Sequence, residues 1–256
     1  MSRHVPYLAE EAIERDAAAL LAEFEHARGM VLEPPIPVED IVEKHLKLRI
    51  EFDDLHARHN IPRPESGKTD ILGAIYGDGS IFIDETLDPD ENPSREGRYR
   101  FTVAHEGGGH WRLHQHLIVE DTAQASLFDG DNAPKFICRS SQAKERVEWQ
   151  ADFYASCLLM PRKMVFAVWD EFFPDRKPRV LQPKTPIEHS FVEIPKYSFQ
   201  LSGQMLECET DDEALERFCK PLAERFLVSP IAMRIRLEKL GLLHRTVPLQ
   251  RLLAGD

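Results

Sequence analysis

The sequence is poor in cysteine, and its four cysteines form no pattern. Cys138, Cys157, Cys208 and Cys219 stand apart with no CxxC spacing, so nothing suggests a zinc knuckle or a paired redox dithiol. They are expected to be buried free thiols in a reducing compartment. Long apolar runs are also missing. Nothing approaches the ~20 residues needed to span a bilayer, and the opening Met-Ser-Arg-His-Val-Pro lacks an apolar segment of signal-peptide type. The expected location is the cytoplasm, away from membranes. Positive charge is scarce as well: 32 Lys and Arg face 44 Asp and Glu, for a net charge of −12. Such a chain is repelled by phosphate backbones and anionic lipid, so direct DNA binding would need a local basic face and is not expected. No internal repeat or low-complexity tract is present.

What remains is an ordinary globular composition, 42% hydrophobic and 30% charged over 256 residues. That suffices for one large or two small domains with a real core. Leu8, Ala12, Ile13, Ala17, Leu20, Leu21 and Phe24 recur at helical spacing and predict a helix over 8–28, stopped by Gly29. A short helix is expected from Val38 to Leu46, a strand over Leu48–Phe52 and a loop over 54–70. Leu72–Tyr76 and Ile81–Asp84 read as a hairpin turned by Gly77-Asp-Gly-Ser80. A helix over about 95–116, with Ser94 as its cap, carries the main motif. Residues 118–138 look acidic and irregular. A second long helix runs from about Ser141 to Met160, 174–210 is poorly periodic, and 212–243 is helical in pattern.

The motif is Phe101-Thr-Val-Ala-His105-Glu106-Gly107-Gly108-Gly109-His110-Trp-Arg-Leu-His114. The zinc-peptidase signature HExxH works because residues four apart on an α-helix differ by about 40° in direction, so two imidazoles can share one metal. The Glu between them is then placed to act as general base. Here the spacing is HExxxH. On a regular α-helix His105 and His110 would diverge by about 140°. A π-bulge absorbs one extra residue, and three glycines ease such a distortion. Two alternatives stay open on the residues alone. His110 and His114 are four apart but lack the Glu, and all three histidines could be plain helix residues. A second half-motif, Glu148-Trp-Gln-Ala-Asp152, supplies an ExxxD pair on one helix face. Glu148 could also be an ordinary solvated charge.

Three stretches together resemble the ImmA/IrrE family of metallopeptidases. Arg100-Phe-Thr-Val-Ala-His-Glu106 resembles that family's RFTLAHE lead-in, and Gly109-His-Trp-Arg-Leu-His114 its GHxxLH continuation. Glu148 through Pro161 (EWQADFYASCLLMP) resembles its ExxAN-x-FAxxLLMP helix, and Leu222–Leu242 its closing helical segment. The resemblance implies a gluzincin-like site. His105, His110 and Glu148 would be metal ligands, Glu106 the general base, and Asp152 and His114 supporting residues behind the ligands. The implied ion is Zn2+, with Mn2+ or another divalent ion as alternatives. The extra glycine between Glu106 and His110 departs from the family pattern.

The resulting expectation is an α+β fold: a mostly helical zinc-peptidase domain over 1–211 with a small antiparallel sheet, followed by a helix-turn-helix-like segment over 212–256 packed on it. Ile81–Asp84 is a candidate edge strand for holding an extended substrate. In the closing segment, Ser229 and Pro230 suit the first positions of a helix. Arg225, Arg234, Arg236, Lys239 and Arg245 there outnumber Glu224 and Glu238. His114, Tyr154, His189 and Tyr197 are candidates for stabilising an oxyanion. The implied activity is intracellular endopeptidase cleavage of a helix-turn-helix repressor. The other classes are a catalytically inactive regulatory or DNA-binding module, and a toxin paired with an antitoxin.

Overall fold

The computed structural model describes residues 5–63, 65, 71–115, 136–139, 146–180 and 211–245. Within them the fold is mostly helical with a small mixed sheet, which is the α+β class in its coarse form. Two compact units are formed, 1–161 with 225–228, and 162–224 with 229–256. Among the described residues no helix is long and apolar enough to cross a membrane.

The first unit begins with α1 (Glu10–Arg28), which buries Ile13, Ala17, Leu20, Leu21 and Phe24 along one face. Burying each large aliphatic or aromatic side chain of this kind contributes about 1.5–3 kcal/mol. Gly29 ends α1 in the left-handed region at φ 63°, its N–H returning to the Glu25 carbonyl. Where a regular helix was expected from Val38, the chain makes a π-helical turn, Asp40–His45, burying Ile41 and Val42. Strand β1 (Arg49–Asp53) follows. The expected loop then opens with one short helix, α2 (Leu55–Arg58), capped by the Asp54 carboxylate, which accepts from the Ala57 N–H at 3.0 Å.

Strands β2 (Ile71–Ile75) and β3 (Ser80–Asp84) form the expected hairpin. Its turn places Gly79 at φ 83°, and the Asp78 side chain accepts from the Ser80 N–H at 3.0 Å. The fourth strand is β4 (Phe136–Arg139), in a stretch that reads as irregular. The sheet order is β1-β3-β2-β4. This corrects two expectations. The sheet is mixed, not antiparallel, because β1 runs parallel to β3 from Arg49↔Ser80 to Asp53↔Asp84. And β3 is interior; the edges among the described strands are β1 and β4. The physical reason is visible in β3 itself. All five of its residues are buried, and Ile81-Phe-Ile83 is a continuous apolar run of the kind that fills a strand covered on both faces.

Helix α3 (Glu96–Ala104) starts after a 3-10 turn at Pro93–Arg95, and its N-cap is Arg95 rather than Ser94. It passes directly into a π-helix over His105–Leu113. Helix α4 (Arg146–Leu159) packs across that segment and against α1. Arg112 ties the π-helix to α1 through a two-pronged bond to Glu23, 2.7 and 2.8 Å, and a 3.3 Å contact with Asp16.

The second unit holds α5 (Arg162–Phe172), α6 (Asp211–Phe226) as far as Glu224, α7 (Pro230–Lys239) and a parallel strand pair, β5 (Arg179–Val180) with β6 (Leu243–His244). An aromatic cluster joins Trp169, Phe173 and Phe218, with ring centroids 4.4 Å apart for the first two and 5.7 Å for the last two. Ser229 caps α7 as its sequence suggests, accepting from the Ala232 N–H at 3.1 Å with Pro230 in the first helical position. Of the local basic residues, Arg225, Lys239 and Arg245 are exposed. Arg234 and Arg245 each pair with both Asp212 and Glu238, and Arg236 is buried. Cys157 and Cys219 are buried and in no disulfide, and burial pushes the Cys219 thiol up to about 12.

Candidate metal centre

The residue count between His105 and His110 is accommodated by backbone, not by side-chain contortion. The nine residues His105–Leu113 are π-helical, a longer distortion than a single bulge. Each i→i+5 turn holds one residue more than an α-turn, so residues five apart return to one face. The glycines do more here than soften the helix. A Cβ on Gly107 would lie 2.6 Å from Val42 Cγ2, one on Gly108 2.6 Å from Tyr154 Cε1, and one on Gly109 2.5 Å from Ala151 Cβ and 2.6 Å from Ala151 Cα. The wide helix is thus wedged between the Val42 turn and α4, at a separation only glycine permits.

Three side chains converge as a result. His105 Nε2 lies 3.0 Å from His110 Nε2 and 3.1 Å from Glu148 Oε2, and His110 Nε2 lies 3.5 Å from Glu148 Oε1. All three residues are buried. A tetrahedral ion with ligand bonds of about 2.0–2.1 Å separates its donor atoms by about 3.3 Å, and the observed separations bracket that value. Two imidazole nitrogens and a carboxylate also match zinc's preferences in kind. The residues therefore fit a divalent ion.

The electrostatics point the same way. Burial pulls His110 down to about 4, so its ring is held neutral, the form that ligates. Burial pushes Glu148 up, but hydrogen bonds to His105 and His110 outweigh it and hold the carboxyl at about 2. Glu148 is therefore an anion. Glu106 is different. It is fully buried, neither carboxylate oxygen has a hydrogen-bond partner among the described residues, and burial pushes its carboxyl up to about 8, with Glu148 and Asp152 adding to the shift. An ionised carboxylate in that place needs a nearby positive charge.

Each of the two converging histidines is backed by another group. His105 Nδ1 lies 2.9 Å from Asp152 Oδ1, the position the ExxxD spacing suggests. His114 does not join the three donors. Its Nδ1 sits 3.4 Å from His110 Nδ1, and its Nε2 turns to Gln150 Oε1 at 2.9 Å. Tyr154 is committed elsewhere: its hydroxyl donates to Asp16 at 3.0 Å. His189 and Tyr197 lie outside the described residues.

Three residues of the site carried no assigned role in the sequence. Gly73 in β2 leaves the space Glu106 fills, since a Cβ there would lie 2.8 Å from Glu106 Oε1. Its signal was a glycine inside a strand, which often marks a bulge or a close approach; the β2–β4 register does shift between Ile71 and Gly73. Gln150 and Val42 had no such signal.

No family model matches the chain, and no curated protein matches it. Among solved structures, a Mycobacterium tuberculosis transcriptional regulator is similar at 14% identity and a TM-score of 0.39. The match covers 94% of this chain and 48% of that chain, so this protein spans about half the regulator's length.

Proposed function

We propose that this protein is a zinc-dependent endopeptidase of the ImmA/IrrE type that cleaves a helix-turn-helix repressor inside the cell. The observation that carries the reading is the meeting of His105, His110 and Glu148 within 4.8 Å of one another, with the carboxylate of Glu106, unpartnered among the described residues, on the same turn. His105, His110 and Glu148 would hold the ion. Zinc in such a site supplies Lewis acidity toward a carbonyl and raises the acidity of water. Glu106 takes the proton of the attacking water and returns it to the leaving amine. Its carboxyl, raised by burial, is closer in basicity to neutral pH than an ordinary glutamate. Asp152 fixes the ring of His105. The repressor assignment rests on the motif resemblance, and on the net charge of −12, which attracts a basic DNA-binding partner.

The test is incubation of the zinc-loaded protein with purified helix-turn-helix repressors from its own genome. Two discrete fragments of one of them are expected, and both a chelator and Glu106→Gln should abolish them. Failure to cut any of them at confirmed zinc occupancy would overturn the reading. It would favour a second one, a metal-holding regulatory module without hydrolysis, for which the full burial of Glu106 is the supporting observation.

A further inference from the structure

Arg112 stands seven residues after His105. On a regular α-helix seven residues bring the chain back to within about 20° of its starting direction, so Arg112 would lie on the His105 face, beside the three donors. In a π-helix each turn holds about one residue more, and seven residues make only about one and a half turns. Arg112 then leaves the helix on the side opposite His105. The structure shows this second arrangement. His105 faces Glu148 and Asp152 at 3.1 and 2.9 Å. Arg112 reaches α1 instead: Nη1 and Nη2 donate to the two Glu23 oxygens at 2.8 and 2.7 Å, and Nε donates to Asp16 Oδ1 at 3.3 Å. The same Asp16 oxygen accepts from the Tyr154 hydroxyl at 3.0 Å. Tyr154 belongs to α4, and its ring fills the place that a Gly108 side chain would take. The carboxylate that receives Arg112 is therefore fixed from the helix that bears Glu148.

We infer that Arg112 is a positioning residue: its bonds to Glu23 and Asp16 form only in the π register, and they thereby hold His105 and His110 on one face. The π-helix is the rarer form, so its register has to be held by something. The glycines cannot do it. Gly107, Gly108 and Gly109 set how closely the helix lies to its neighbours, but residues without side chains give no grip against rotation about the helix axis. A planar guanidinium with three of its N–H groups engaged does, because it meets carboxylates in a fixed geometry. Relaxing 105–113 to the α-form would swing Arg112 by roughly a third of a turn. That swing breaks all three bonds together and carries His110 off the His105 face. Spacing alone thus gives one residue count two consequences: it brings two histidines together, and it sends Arg112 to the helix that locks them there.

This inference rests on the reading of the site as a metal centre, but one of its readouts needs no metal. Zinc affinity, measured by competition with a chromophoric chelator, should fall about 5- to 10-fold in Arg112→Met, because only molecules still in the π register bind tightly. The methionine keeps much of the apolar stem. A residue that merely stabilised the fold would lower the unfolding midpoint and leave the affinity of the folded molecules unchanged. Arg49→Met, which loses a 2.8 Å ion pair with Asp78 on the sheet, is the control and should leave zinc affinity unchanged. A crystal structure of metal-free Arg112→Met should show i→i+4 bonding within 105–113, with the Nε2 atoms of His105 and His110 well beyond their present 3.0 Å. If Arg112→Met does not fold, the double variant Asp16→Asn with Glu23→Gln replaces it with the same expectations, since it keeps the arginine and an acceptor for Tyr154 while removing both charges. Zinc affinity within about twofold of wild type, or an unaltered π-helix in the metal-free variant, would overturn the inference. Failure of the metal-centre reading looks different: the wild type itself would bind no zinc, and the metal-free crystal structures would still decide what holds the register.

Discussion

Gly73 and Glu106 share one small volume: the β2 backbone approaches the π-helix so closely that a methyl group on Gly73 would lie 2.8 Å from Glu106 Oε1 and 2.8 Å from Thr102 Cγ2. The catalytic carboxylate of the proposed mechanism is thus placed by an absence of side chain. The glutamate is long and can swing aside, whereas the branched threonine beside it cannot. Gly73→Ala should therefore cost about 1–3 kcal/mol of stability, leave zinc bound, and reduce repressor cleavage at least ~10-fold, since each 1.4 kcal/mol of lost transition-state stabilisation is tenfold. Metal analysis, thermal unfolding and single-turnover cleavage on one preparation separate the three effects.

The ligand set makes a sharp prediction. His105→Ala, His110→Ala and Glu148→Ala should each lose tightly bound zinc, while Glu106→Gln keeps it and loses hydrolysis. Elemental analysis after gel filtration is the measurement. Zinc retained in His110→Ala but lost in His114→Ala would move the ligand register by one turn.

The glycine wedge predicts which crowding can be relieved. In Gly107→Ala the new methyl meets Val42 Cγ2 at 2.6 Å, but Val42 Cβ only at 3.5 Å. Val42→Ala removes the offending atoms, so the double variant should be more stable than the sum of the singles by about 1 kcal/mol or more. Gly109→Ala meets Ala151 Cα at 2.6 Å, which no substitution removes. It should cost ~3 kcal/mol or more and stay unrescued by Ala151→Gly. Denaturant titration of the metal-free proteins decides between the two patterns.

A pH dependence follows from Arg112 and Glu23. The guanidinium bonds Glu23 and holds its carboxyl below the ordinary range. A depressed carboxyl contributes stability above its unfolded value, about 4.3, and loses it as pH falls through the folded value. Both groups are partly solvated, at 26% and 44% exposure, so screening limits the bond to about 0.5–1 kcal/mol. The destabilisation caused by Glu23→Gln should accordingly be present at pH 7 and shrink below about pH 4. An unchanged difference across that range would mean the pair stabilises by packing alone.

Much of this was written locally in the chain. The apolar spacing in α1, the Gly29 stop, the hairpin turn and the Ser229-Pro230 cap are short-range signals, and each reappears in the structure within a residue or so. A π-distortion was legible from arithmetic, because HExxxH cannot converge on a regular helix, but the sequence suggests a single bulge where the structure has nine π-helical residues. What was not legible depends on partners distant in sequence. Nothing in Arg49–Asp53 says that it lies parallel to β3, which turns an apparent edge into the middle of the sheet. The four residues of β4 are too few for periodicity to register. Gln150 meets Pro6 and His114, and no spacing rule connects positions 6, 114 and 150. The Ser94 cap failed for a local reason: a 3-10 turn delays the helix to Arg95.

The sheet order also dictates a sequence of events. The β2–β3 hairpin closes over a turn of a few residues, an event of about 1–10 μs in isolated chains, whereas β1 reaches β3 across 31 residues and His105 reaches Glu148 across 43. Closing longer loops comes at a greater entropic cost. A newly made chain therefore owns a hairpin well before it owns a place for an ion, and zinc that arrives early meets only scattered donors.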